Sequence, residues 1–223
     1  MGDDHGRTTN AGRLATGLAW AVLLFGLWLW GRGVTGVPHR VDSPATGDVL
    51  GAGRPAGPAR LPRPAAPLRA ALPQRVDIPG IGVQAPVVAR GLDARGAVDP
   101  PPYAQPGVVG WYGGGAAPGA RGVALLVGHV DTRTRPAVFY RLSTLEAGGT
   151  VRVVRADGRV AQFTIDDIRV LPREDFDARQ AYGPRKPGRA ELRLITCGGS
   201  FDRATGSYTA NVVVSAYLTG TGR

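Results

Sequence analysis

Two rhythms of apolar residues divide this chain. Residues 14–30, LATGLAWAVLLFGLWLW, run for 17 positions without a charge between Arg13 and Arg32. Wound as a helix, that stretch spans roughly 26 Å, the lower edge of what crosses a hydrocarbon core. Trp28 and Trp30 stand where aromatic side chains meet a membrane interface. The sequence therefore predicts a single transmembrane anchor over 14–31. A cleaved signal peptide is the rival, but the stretch is long for one and no small-x-small cleavage site follows it.

From residue 73 the rhythm changes to alternation in short runs broken by turn residues, the period of strands rather than helices. RVDIPGIGVQAPVV (75–88) reads as two short strands interrupted by Pro79 and Gly80. Further strands are predicted in ALLVGHV (124–130), TVRVVRA (150–156), RVAQFTIDDIRVL (159–171), AELRLITC (190–197) and NVVVSAYL (211–218). Asp157 and Gly158 signal a two-residue hairpin between the second and third of these further strands. PAVFYRL (136–142) is the best candidate for a short helix, with Val138, Leu142 and Leu145 near one face. Many short strands without alternating long helices argue for an all-β closed barrel or sandwich. The alternation places that domain at 73–223.

Between anchor and domain the pattern disappears. Residues 32–72 are rich in Pro, Gly, Ala and Arg and hold too few large apolar residues for a core, which predicts a disordered, semi-extended linker. Residues 1–13 are expected to form a short cytoplasmic segment, leaving the 73–223 domain outside the membrane.

Charge changes this picture little. The 223 residues carry a net charge of +10, divided +4 and +6 between residues 1–72 and the remainder. Lys186 is the sole lysine, so the excess is arginine, inflated together with Ala, Gly and Pro, and no nucleic-acid motif accompanies it. Arginines of the linker are suited to resting on anionic lipid.

Scarcity is more informative. Cys197 is the one cysteine, which excludes an intramolecular disulfide. His5 and His39 precede the domain, so His129 is its one imidazole. Cys197 ends an apolar strand in LITCGGSF, before two glycines that leave room for a substrate backbone and amides suited to an oxyanion. His129 ends another in LLVGHVD and has the chemistry to take the thiol proton and return one to a leaving amine. Asp131, two residues on, is a candidate to orient the ring. One His and one Cys make no metal set, and no cofactor or metal is assigned. Asp166, Asp167, Asp175 and Asp177 read as turn and surface residues. Gly113 to Gly115 lack the Lys and Ser/Thr of a phosphate loop and read as a turn.

GHVDTRTRPAVFYRL, a strand hairpin and then LITCGGSF, in that order, resemble the sortase family. IPGIGVQAPVV, GLDARGAVDPPP and VGWYGGG support the resemblance upstream, and it extends over about Arg75 to Leu218. The N-anchored form with TCGG is closest to the sortases grouped as class F, or else class E.

The resemblance implies a closed eight-stranded β-barrel with one or two short helices. It also implies cleavage of a C-terminal LPxTG-like sorting signal after Thr. Cys197 would attack the Thr carbonyl and His129 would protonate the departing Gly amine. An amine acceptor of the cell envelope, such as a peptidoglycan precursor or a pilin lysine, would resolve the thioacyl intermediate. Partners are thus secreted proteins bearing such signals, with the membrane as location. The family also places an Arg at the start of the strand after the nucleophile loop, where this chain has Asn211. Arg203 in the loop is the preferred substitute and Asn211 the alternative. Two other readings stay in view: a sortase-like envelope protein that binds without turnover, and a peptidoglycan L,D-transpeptidase, whose nucleophile motif differs from LITCGG.

Overall fold

The computed structural model describes residues 61–223 except Arg95 and Asp175. The predicted cytoplasmic segment, the anchor and the linker up to residue 60 lie outside the described residues. Among those described, no helix is long and apolar enough to cross a membrane.

Alternating side chains need two environments, and a closed sheet supplies them as an inside and an outside. The strands are β1 (Pro73–Ile78), β2 (Val83–Arg90), β3 (Val109–Tyr112), β4 (Gly122–Val127), β5 (Thr150–Arg155), β6 (Val160–Pro172), β7 (Ala190–Asp202) and β8 (Ser207–Gly222). They close in the order β1-β2-β3-β4-β7-β8-β6-β5. β2 with β3 and β4 with β7 are parallel pairs, and the other neighbours are antiparallel. The all-β barrel expected from the alternation is therefore present.

The interior is apolar: Val76, Phe163, Ile165, Leu192, Leu194 and Val214 are all fully buried in one cluster. Each such side chain contributes on the order of 1.5–3 kcal/mol relative to exposure. Odd-numbered residues of β7 point the other way. Ile195 joins Leu125, Val127, Val213 and Ala181 in a second, smaller cluster on the outer face. A short helix α1 (Ala178–Tyr182), capped by the Asp177 carboxylate on the Arg179 amide at 2.8 Å, lies in the β6–β7 connection that covers this cluster.

Three local expectations are revised. No α-helix forms at 136–142: turns lead into a 3₁₀ turn at Leu142–Thr144. The amides that an α-helix would bond four residues back close three residues back instead, Tyr140 on Ala137 O at 3.1 Å and Leu142 on Phe139 O at 3.0 Å, while Ala137, Val138 and Phe139 are tied to Val130 O, Pro106 O and His129 O. The hairpin at Asp157-Gly158 exists, but its loop is longer than two residues. The Gly158 amide bonds Arg155 O at 3.0 Å, and Gly158 takes φ 75°, the left-handed residue of a bulged turn.

Finally, residues 61–72, expected to belong to the linker, have no regular secondary structure yet lie against the barrel. Ala65 and Leu68 pack on its core, and their amides bond Leu218 O and Gly119 O, both at 2.8 Å. Tyr217 donates to Pro62 O at 2.6 Å. A few apolar residues between rigid prolines suffice, because the barrel supplies the partners.

Candidate active site

The site grows out of the parallel pair β4 and β7. Their last paired row is Val127 beside Ile195, and the Gly128 amide extends it by bonding Ile195 O at 3.1 Å. Two residues further along each chain come His129 and Cys197, so parallel pairing alone brings the two scarce residues to one place. Glycine is required at 128: a Cβ there would meet Phe139 and Val138 at 2.7 Å.

His129 is 8% exposed. Its Nε2 lies 2.7 Å from Pro101 O, and since a carbonyl only accepts, Nε2 carries the proton. Tyr103 stacks on the imidazole, with centroids 4.1 Å apart and planes 19° from parallel. Pro101 and Tyr103 belong to the β2–β3 connection. That connection is held by Arg90, which pairs with the Asp99 carboxylate and donates from Nε to Asp99 O at 3.2 Å.

Cys197 is exposed. Its neighbourhood still withholds enough water to push the thiol above its ordinary value; Arg173 opposes that rise and Asp131 adds to it. β7 departs from regular pairing just beyond, between Gly198 and Phe201. Gly199 takes φ 75° there, and a Cβ would sit 2.5 Å from Thr209 Oγ1. Both glycines are thus demanded by the β7–β8 hairpin itself, since a Cβ on Gly198 would lie 2.6 Å from Val212.

Asp131 does not act where the sequence suggested. It accepts a hydrogen bond from Tyr208 of β8, which drives the Tyr208 hydroxyl up to about 12. Asn211 is the register partner of Cys197 and is half-buried. Arg203 is exposed in the turn that closes the β7–β8 hairpin. Sequence reading missed Pro101, Tyr103, Arg173 and Tyr208, all from segments between or at the ends of strands. PPPY offered the one visible signal, an aromatic fixed behind a proline run.

Among the described residues, no three His, Cys, Asp or Glu side chains gather as a metal set. Asp166 and Asp167 face Arg185, and Asp177 caps α1, while Asp175 lies outside the described residues.

Comparison with known proteins agrees with this architecture. The sequence profile of the sortase domain matches residues 76–219. No curated protein sequence matches the chain. Among solved structures, sortase A from Corynebacterium diphtheriae (a lid mutant) is similar with TM-score 0.50 and 20% identity, over 69% of this chain and 73% of that one. Sortase C-1 from Streptococcus pneumoniae gives TM-score 0.50 and 21% identity over 66% of each chain. Sortase C-1 from Actinomyces oris gives TM-score 0.49 and 25% identity, over 66% of this chain and 73% of that one.

Proposed function

The chain belongs to the sortase family of cysteine transpeptidases, and from that premise we propose that Cys197 is its nucleophile and His129 its acid/base partner. The observation that carries this reading is that each lies two residues past Val127 and Ile195, the last paired row of the parallel strands β4 and β7.

The substrate is a protein with a C-terminal sorting signal of the LPxTG kind. The Cys197 thiolate attacks the Thr carbonyl carbon, the Thr–Gly bond breaks, and the departing amine takes a proton from His129. A Thr thioester on Cys197 remains. An amine of the envelope, a peptidoglycan precursor or a pilin lysine, then attacks that thioester, giving up a proton to His129 and releasing the Cys197 thiolate. A covalent intermediate between two substrates predicts ping-pong kinetics. The burial of His129 under Tyr103 suits an acid kept from bulk water. The apolar 14–31 segment supports a single-pass anchor with the barrel outside the membrane.

Incubating the full chain with LPxTG-type and LAxTG-type peptides and an amine, followed by intact mass, should reveal a thioacyl adduct on Cys197 and a transferred product. Cys197→Ala should abolish both. Absence of adduct and product across a broad peptide panel overturns the reading. Asn211 opposite Cys197 favours one other function, signal binding with little turnover; full complementation of a deletion strain by Cys197→Ala would establish that instead.

A further inference from the structure

If Cys197 is the nucleophile, its thiolate gains from a fixed positive charge in addition to His129, and Asn211 beside it has none. Resting on that reading, we propose that Arg173, just past the end of β6, is the cation that stabilises the Cys197 thiolate, in place of an arginine on β8.

Register carries the placement. Across β7, β8 and β6, one row reads Cys197, Asn211, Leu171 and the next reads Gly198, Ala210, Pro172. The Arg173 amide continues the ladder by bonding Thr209 O at 2.9 Å. Alternation then decides the face. Leu171 packs in the outer cluster with Ile195, and Arg173, two residues on, returns to the side that Ile195 and Cys197 share. Two strand spacings separate their backbones sideways, about 10 Å, a gap that a long side chain crosses much of.

The guanidinium leans over β8, with Nη1 at 3.4 Å from Tyr208 O, and its charge is felt at the sulfur. Arg203 is placed less well. Cys197 and Asp202 lie at the two ends of a strand segment that runs roughly 15 Å to the hairpin tip, and Arg203 follows it.

The charged and titratable groups around the thiol come from three elements. His129 and Asp131 follow β4, Tyr208 stands on β8 with Tyr140 beyond it, and Arg173 follows β6. Asp131 opposes the thiolate, and Arg173 is the permanently charged cation of the set.

The test uses the fact that Cys197 is the one cysteine, so iodoacetamide reads it alone. Alkylation rate against pH is measured on the full chain and on Arg173→Gln, Arg173→Lys, Arg203→Gln and the surface variant Arg169→Gln, each checked by thermal melting. Expected for Arg173→Gln is a midpoint displaced to higher pH and a rate at neutral pH reduced several-fold. Arg173→Lys should restore most of it, and Arg169→Gln should superimpose on the parent. An Arg173→Gln profile that superimposes on the parent, or a displacement seen with Arg203→Gln alone, overturns the assignment. Peptide transfer, run in parallel, separates the two claims. A displaced profile with no transfer on any peptide sinks the transpeptidase reading and leaves Arg173 standing. Transfer with an unmoved profile removes Arg173 alone.

Discussion

The two faces of β7 live under different rules. Leu192 and Leu194 enter an interior that the barrel closes on every side. Arg193, Ile195 and Cys197 face outward, where the sheet supplies no cover and other segments must provide it. Arg193 is buried because Glu191 bonds it at 2.6 Å and the β6–β7 connection wraps both, with the Arg185 and Lys186 amides donating to Glu191 at 3.0 and 2.7 Å. Packing alone holds the inside; on the outside, polar ties join an apolar cluster in holding the covering segments, and the proposed site lies where the cover parts. Stability and activity should therefore separate by face.

The largest effect is expected from Glu191→Gln. Breaking one side of a buried ion pair strands the other charge, and about 3–5 kcal/mol of stability should be lost in urea unfolding at neutral pH. The same carboxylate predicts an acid limb. Burial alone pushes Glu191 up, but the Arg185 amide, the Arg193 guanidinium and the Lys186 amide outweigh it and hold the group below its ordinary value of 4.5. A depressed folded pKa stabilises above the unfolded value and is lost as pH falls through the folded one. The parent should thus weaken below about pH 4.5 more steeply than the variant.

Next comes the direct contrast of faces. Leu194→Ala should cost about 2–5 kcal/mol, and Ile195→Ala a value nearer the lower end, because the α1 segment is free to settle onto the gap. At equal folded fraction, however, Ile195→Ala should depress peptide transfer more than Leu194→Ala. The reverse order would mean that the faces are not functionally distinct.

Tyr103→Ala tests the cover on the histidine. Stability should change by about 0.5–1.5 kcal/mol, the scale of one aromatic stacking contact. Modification of His129 by diethyl pyrocarbonate, read on its own peptide, should quicken several-fold. An unchanged rate would show that Tyr103 shields nothing.

The smallest effect belongs to Thr196, whose buried hydroxyl has no partner among the described residues. Thr196→Val removes a polar group that the interior does not satisfy, so the protein should be unchanged or up to about 1 kcal/mol more stable. A clear loss in thermal melting would point to a bridging water at this position.

This division also explains what the sequence could tell. Period-two alternation is a property of single strands, so the inner face and the existence of the barrel were legible from runs such as AELRLITC. Cys197 and His129 stood out through scarcity alone. The covering segments have no period. Nothing in PPYAQP states that Tyr103 will lie on His129, because that contact depends on how β2 joins β3. Arg173 was hidden among 26 other basic residues, and its neighbourhood is set by register across three strands, two of them distant in sequence. The short β3 was likewise invisible as a strand, since its four residues hold two apolar positions at most on either face.

The segment from Leu61 to Leu72 has a mechanical consequence. Tension applied through the chain ahead of Pro62 first meets the Tyr217 bond to Pro62 O, then the amide bonds of Ala65 and Leu68, and only afterwards the Ala156 bond to Leu72 O beside β1. These fasteners open one after another and each frees a little slack. The first strand of the barrel is therefore loaded last, and a pull from the amino-terminal side frees this segment before Cys197 and His129 part company.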